Sequence, residues 1–311
     1  MAADAMFELE TLAAAPPSPR SWTTLKQVMS IHNSIIKEMS IAESSGGAGD
    51  LGTNEGRGGA ETTMLLQYIN SINGRPNTAV YCLYLLHAQE SCSPQHSPWR
   101  QAYGQQMLIF LGMCCGEGDA QTTEYMRQVL QFCHIEFSAL MASLPSTLDD
   151  AQLVPFIALL KRASQLCCPG GRDTVLTAAH CAFVRVCAMS RMYSTAVECI
   201  TKHPVLEIDP PQACIVPEQY LSYHYYAALC FIAVKSYSMA LEHLSNCISI
   251  PSNACSAISL LAYRTATIVS LLHTGTKFVV PKFASSIVQT SISQSLKTKA
   301  YRYGVLFCSA R

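Results

Sequence analysis

Two stretches of the chain repeat one pattern. Tyr193-Ser194-Thr195-Ala196-Val197-Glu198 and Tyr237-Ser238-Met239-Ala240-Leu241-Glu242 share Y-S-x-A-[VL]-E at a displacement of 44 residues, and His180 maps onto His224 by the same shift. Helix pairs repeating at about this length mark tetratricopeptide-like or HEAT-like stacks, in which each hairpin leans on its neighbours. The second copy sits in a stretch that reads as two antiparallel helices, residues 220–251, joined at Lys235-Ser236. Leu221, Tyr225, Ala228, Leu229 and Ile232 form one stripe, and Tyr237, Ala240, Leu241, Leu244 and Ile248 form another. Both follow the i, i+3, i+4, i+7 spacing of a helix with one buried face. Ser238, Glu242, Ser245, Asn246 and Ser249 fall on the other face of the second helix. Ala240 is small where the helices cross, and Pro251 ends the hairpin because it cannot continue a helix.

The same spacing extends to either side. Leu176, Ala179, Phe183, Val186 and Cys187 predict the helix before Tyr193. A third hairpin is expected from Ser256 to His273, stopped at Gly275, and from Pro281 to Ala300, with Phe283 standing where Tyr237 stood, displaced by 46. Upstream, helices are predicted over 21–43, 61–72, 78–90, 99–115, 121–143 and 153–168, broken at Asn73-Gly74-Arg75-Pro76, Gly116-Glu117-Gly118 and Pro169-Gly170-Gly171. No run alternates with period two over more than a few residues, so the fold class is all-α: a helical-repeat solenoid of the tetratricopeptide or HEAT kind. The chain divides into an arm over 1–20, an N-terminal helix over 21–43, a Gly-rich linker or insertion over 44–60, helical repeats over 61–173 and 174–300, and a tail over 301–311. The arm is small-residue, acidic and then proline-rich, and is expected to be disordered. The linker lacks G-x-x-x-x-G-K-[ST] and follows no apolar strand, so it is not a phosphate cradle.

Charge and cysteine usage narrow the function. The 21 acidic and 21 basic residues cancel and leave no basic stripe, so nucleic acid is not the expected partner. No stretch stays apolar and uncharged long enough for a bilayer span, and the N-terminus is of neither signal nor transit type. The 15 cysteines are an odd number, with Cys114-Cys115 and Cys167-Cys168 adjacent and no CxxC. They read as free thiols within apolar helices, in a reducing compartment, cytosol or nucleus.

Catalytic readings are weak. Val175-Leu176-Thr177-Ala178-Ala179-His180-Cys181 matches the stretch around the catalytic histidine of chymotrypsin-like serine proteases. That chemistry needs an aspartate to orient the imidazole and a serine nucleophile. There is no GDSGG, and Ser190 and Ser194 belong to a helical turn. A serine hydrolase centred on His180 is therefore the alternative, and a chance match is the reading adopted. The nine histidines, His32, His87, His96, His134, His180, His203, His224, His243 and His273, form no HExxH or H-x-H, so no metal site is expected. Tyr220, Tyr223, Tyr225 and Tyr226 read as packing residues because no Arg or Lys lies among them. Asp149-Asp150 and the Glu198/Glu242 pair are too isolated for acid–base work. No catalytic, cofactor-binding or metal residues are assigned.

The repeat region also resembles a known family. Leu206-Glu207-Ile208-Asp209, Tyr220-Leu221-Ser222-Tyr223-His224-Tyr225-Tyr226, Ala240-Leu241-Glu242, Ala262-Tyr263-Arg264, Ile268-Val269-Ser270-Leu271-Leu272, Pro281-Lys282-Phe283 and, upstream, Leu176-Thr177-Ala178-Ala179-His180 with Tyr193 are similar in order and spacing to the third subunit of the COP9 signalosome. The related proteasome-lid subunit is the nearest competitor. The resemblance covers about 174–301 and implies a non-catalytic scaffold of the PCI class, helical repeats capped by a winged helix. It implies sister subunits as partners, no small-molecule substrate, and residence in cytoplasm and nucleus. It also implies a complex that removes a ubiquitin-like modifier from cullins, with the metal on a different subunit. After Tyr301 the chain reads Arg302-Tyr303-Gly304-Val305-Leu306-Phe307-Cys308-Ser309-Ala310-Arg311, where the family continues into further helices. The expectation is a product truncated before the winged helix.

Overall fold

The computed structural model describes residues 27, 82, 85, 86, 97–115, 134–148, 152–166, 168, 174–251 and 253–296. The expected arm (1–20), linker (44–60) and tail (301–311) lie outside these residues, as do the helices over 61–72 and almost all of those over 21–43 and 78–90. Described helices are α1 (Ser97–Cys115), α2 (His134–Thr147), α3 (Phe156–Leu166), α4 (Ala178–Met189), α5 (Tyr193–Lys202), α6 (Pro210–Ala213), α7 (Pro217–Ala233), α8 (Tyr237–Ser249), α9 (Ala257–Thr274) and α10 (Ser286–Leu296). Among the described residues there is no β-strand, only one isolated parallel bridge between Val175 and Glu207. The fold is an all-α helical-repeat solenoid.

Packing runs along the stack. α1 lies on α3, α3 and α2 on α4, α4 on α5 and α7, α7 on α8, α8 on α9, and α9 on α10. The 44-residue displacement has a backbone cause. Arg191 and Lys235 adopt left-handed φ values of 60° and 62°. In each case the following residue reaches five back: Met192 N–H donates to Cys187 C=O and Ser236 N–H to Phe231 C=O, both at 2.9 Å. This is the Schellman stop, which satisfies the last carbonyls of a helix and sends the chain back on itself. Tyr193 and Tyr237 are the first residues of the return helices. Ala196 and Ala240 follow at the equivalent depth, each without accessible surface, so the backbones approach closely there.

The third hairpin departs from this register. α9 is stopped by Gly275 at φ 69°, and α10 begins at Ser286 rather than Pro281. Ser285 Oγ accepts from Val288 N–H at 3.3 Å, a local cap that sets the late start. Phe283 therefore precedes its helix and is 77% exposed, and it is not the equivalent of Tyr237. α7 differs from its expected single stripe too. Tyr223, Ala227, Cys230 and Phe231 pack into a core shared with α1–α5, while Leu221 and Ala228 pack into a second core with α8, α9 and α10. A central helix of a stack has neighbours on both sides, so both of its faces are apolar.

Candidate interaction surface

The sequence singled out His180, and its surroundings define its role. Val175 and Leu176 are held extended: Leu176 N–H donates to Glu207 C=O at 3.0 Å, and Leu206 N–H donates to Thr174 C=O at 2.9 Å. Thr177 then starts α4 with φ −125° and ψ 163°. Its backbone N–H donates to His180 Nδ1 at 3.3 Å, and its Oγ1 lies 2.8 Å from the same nitrogen. His180 Nδ1 is thus an acceptor within a helix cap. A catalytic triad needs that nitrogen protonated and donating to a carboxylate. Burial, with a smaller contribution from His203, lowers the His180 pKa to about 4. Ser190 is the C-terminal cap of α4, and its Oγ is buried without a partner. Ser194 lies in α5. The geometry of the triad is absent at His180.

The structure joins two histidines that the sequence left separate. His224 on α7 and His243 on α8 face each other with Nδ1 atoms 2.9 Å apart. One must donate and the other accept, so the pair holds one proton between two neutral rings. Phe231 stacks on His243 with centroids 5.3 Å apart and planes 20° apart. Tyr220 and Tyr223 meet His224 edge-on at 4.5 and 5.2 Å. Burial pushes both imidazoles well below their ordinary value, and His224 is lowered further by His243. The signal was available in principle: antiparallel helices turning at Lys235 place residues similarly far on either side opposite one another. Among the described residues, no group of three or more His, Cys, Asp or Glu is placed to hold a metal ion.

The remaining candidates have packing roles or lie apart. Glu198 pairs with Lys202 at 2.6 Å on an exposed helix face. Glu242 is exposed on α8, and Asp149-Asp150 lie outside the described residues. Tyr223 is buried. Tyr226 lies under Arg185, whose guanidinium carbon is 5.6 Å from the ring centroid and whose Nη2 donates to Ser146 Oγ at 3.1 Å. That arginine links α2, α4 and α7. Cys115, Cys181, Cys187, Cys199, Cys214, Cys230, Cys247 and Cys255 are thiols outside any disulfide. Burial pushes Cys115, Cys181, Cys187, Cys230 and Cys247 up to about 12, so these thiols are inert packing groups.

What the stack leaves available is apolar surface. Leu206, Ile208 and Val216 are exposed along one edge, and Leu261, Ile268, Leu272, Val279, Phe283 and Ile287 along the α9–α10 end. Exposed apolar residues grouped in this way mark surfaces that meet other polypeptides. No helix among the described residues is long and apolar enough to cross a membrane.

Residues 79–288 match a family model described as COP9 signalosome complex subunit 3, N-terminal helical repeats. The matched range includes residues well upstream of Thr174. A protein of Dictyostelium discoideum named COP9 signalosome complex subunit 3 is 33% identical over 141 residues, covering 45% of this chain and 34% of that protein. An Arabidopsis thaliana protein of the same name is 33% identical over 118 residues, covering 37% of this chain and 26% of that protein. The chain thus spans about a third or less of the curated relatives it matches.

Proposed function

The chain belongs to the family of COP9 signalosome subunit 3 N-terminal helical repeats, and from that premise we propose that it is a non-catalytic scaffold within a signalosome-like complex. Its partners are sister subunits, and its contribution is to hold them in place while the complex removes a ubiquitin-like modifier from cullins and so regulates cullin-RING ubiquitin ligases. The chain does this in cytoplasm and nucleus. The observation that carries the reading is the continuous stack with apolar residues grouped on its outside. Leu206, Leu272 and Phe283 are 73%, 66% and 77% exposed, so side chains that belong in a core face outward. A repeat stack offers an extended surface for proteins. The capped His180 supports this over a hydrolase.

Affinity purification of the tagged chain with mass spectrometry tests the proposal. Signalosome subunits are expected in the eluate. Proteasome-lid subunits without signalosome subunits would overturn it, as would labelling by a fluorophosphonate probe that is abolished in His180→Ala.

A further inference from the structure

α9 buries Ala262, Tyr263, Ala266 and Val269 against the rest of the stack, yet its outer face is apolar as well. Leu261, Ile268 and Leu272 stand exposed there, at i, i+7 and i+11. At 1.5 Å per residue the row runs about 16 Å along the helix, three turns. It ends at the left-handed stop of Gly275, and the chain then exposes Val279 and Phe283 before α10 begins. A repeat that ends a stack in water carries a polar outer face, whereas this one carries aliphatic and aromatic side chains. The spacing of the row is that of a seam between two helices lying side by side.

Charge indicates which helix fits. From His243 to Leu296 the chain contains Arg264, Lys277 and Lys282 and no Asp or Glu. Arg264 already has a partner within the fold. Lys277 and Lys282 are exposed and make no hydrogen bond or ion pair among the described residues. Lys277 precedes Val279 by two residues, and Lys282 adjoins Phe283. Two copies of this chain meeting through α9 would set these lysines against each other. Residues 297–311 add Lys297, Lys299, Arg302 and Arg311 and again no acid. Neither a second copy nor that segment complements the face, so the complement is acidic and comes from elsewhere. Two lysines beside a three-turn aliphatic row do not suit a nucleic acid, which is held through many phosphate contacts.

We propose that the outer face of α9 docks an amphipathic helix of a partner protein, one whose apolar stripe is bordered by Asp or Glu. The stripe packs along Leu261, Ile268 and Leu272, the end of the helix meets Val279 and Phe283, and its carboxylates pair with Lys277 and Lys282. This rests on the scaffold reading and goes further in naming the surface used and the chemistry of one partner.

A phage-displayed library of helical peptides about five turns long, randomised at their surface positions and selected on the full chain, supplies the probe; synthetic copies are then measured by fluorescence anisotropy. Selected helices are expected to carry one apolar stripe bordered by Asp or Glu and to bind more weakly as salt rises. Ile268→Asp and Leu272→Asp should each weaken binding roughly tenfold or more. Both side chains are mostly exposed, so each variant should melt close to the parent. Lys277→Glu combined with Lys282→Glu should weaken the acidic peptide and strengthen a copy whose acids are replaced by Lys, an exchange that a structural role would not give. Leu206→Asp, on the other apolar edge, should leave binding unchanged. No selected helix, helices without acids, or binding indifferent to Leu272 and the two lysines would overturn the proposal. So would a dimer in sedimentation that Leu272→Asp dissociates, since the face would then belong to a second copy. Binding that emerges only after residues 1–20 are removed would assign the face to the chain's own acidic arm, and flotation with phosphatidylserine vesicles that Leu272→Asp abolishes would assign it to a membrane; either result overturns it too. Failure here with signalosome subunits still co-purifying removes the docking proposal and leaves the scaffold standing.

Discussion

Acid should destabilise this protein well above the pH at which carboxylates titrate, through three buried histidines. His180, His224 and His243 are held neutral mainly by burial, His180 with a pKa of about 4 and the facing pair likewise far below the ordinary value of 6.5. In the unfolded chain all three titrate normally. Above pH 6.5 neither state is charged at these residues, and their contribution is fully present. As pH falls below that value the unfolded state takes up protons that the folded state refuses, and stability is lost until the folded pKa values are reached. Near pH 5.5, one unit below the reference, each histidine contributes a loss on the order of 1 kcal/mol, so the three together remove several kcal/mol relative to pH 7.5. That figure depends only on the rings staying neutral near pH 5.5, not on how far down each is pushed. Set against the roughly 5–15 kcal/mol of an ordinary domain, it is a large share. Urea denaturation followed by circular dichroism near pH 7.5 and near pH 5.5 reads it directly. Replacing the facing pair with His224→Leu and His243→Leu should reduce the loss to about a third, because of these three only His180 then remains. A parent equally stable at both pH values would refute the burial of these rings. A double variant that keeps the full loss would assign it to other groups.

Other expectations follow from the packing. Ala240 has no accessible surface where α7 and α8 cross, so Ala240→Phe should destabilise by about 1–3 kcal/mol, read as a lower urea midpoint. Lys235 holds a left-handed φ of 62° at the end of α7, so Lys235→Gly should stabilise by about 0.5–1 kcal/mol in the same assay. Peptide-mapped alkylation with iodoacetamide should label half-buried Cys214 well before Cys187, Cys230 and Cys247, which should react only after unfolding.

Much of the architecture was legible in one dimension. Period 3.6 without period two established all-α, and Y-S-x-A-[VL]-E established the repeat. The reason is local: an αL stop at Arg191 or Lys235, then a tyrosine opening the return helix and an alanine at the crossing, is a unit that the chain carries within a few residues. Spacing alone already opposed a triad at His180, because its sequence surroundings are helical. Other features depended on contacts between distant segments. α7 proved apolar on both faces because helices on either side of it cover it, and no single-helix stripe reports a second neighbour. His224 and His243 met because the α7–α8 hairpin fixes their register, and Phe283 left its expected place because Ser285 caps α10 late. A groove beneath Val216, with Ser249 unpaired in its wall, exists only where α8 ends against the segment leading into α7. Hydrophobic periodicity decides which elements form, since it acts along the chain. Which polar groups are left without partners, and which apolar ones remain in water, is decided by three-dimensional closure.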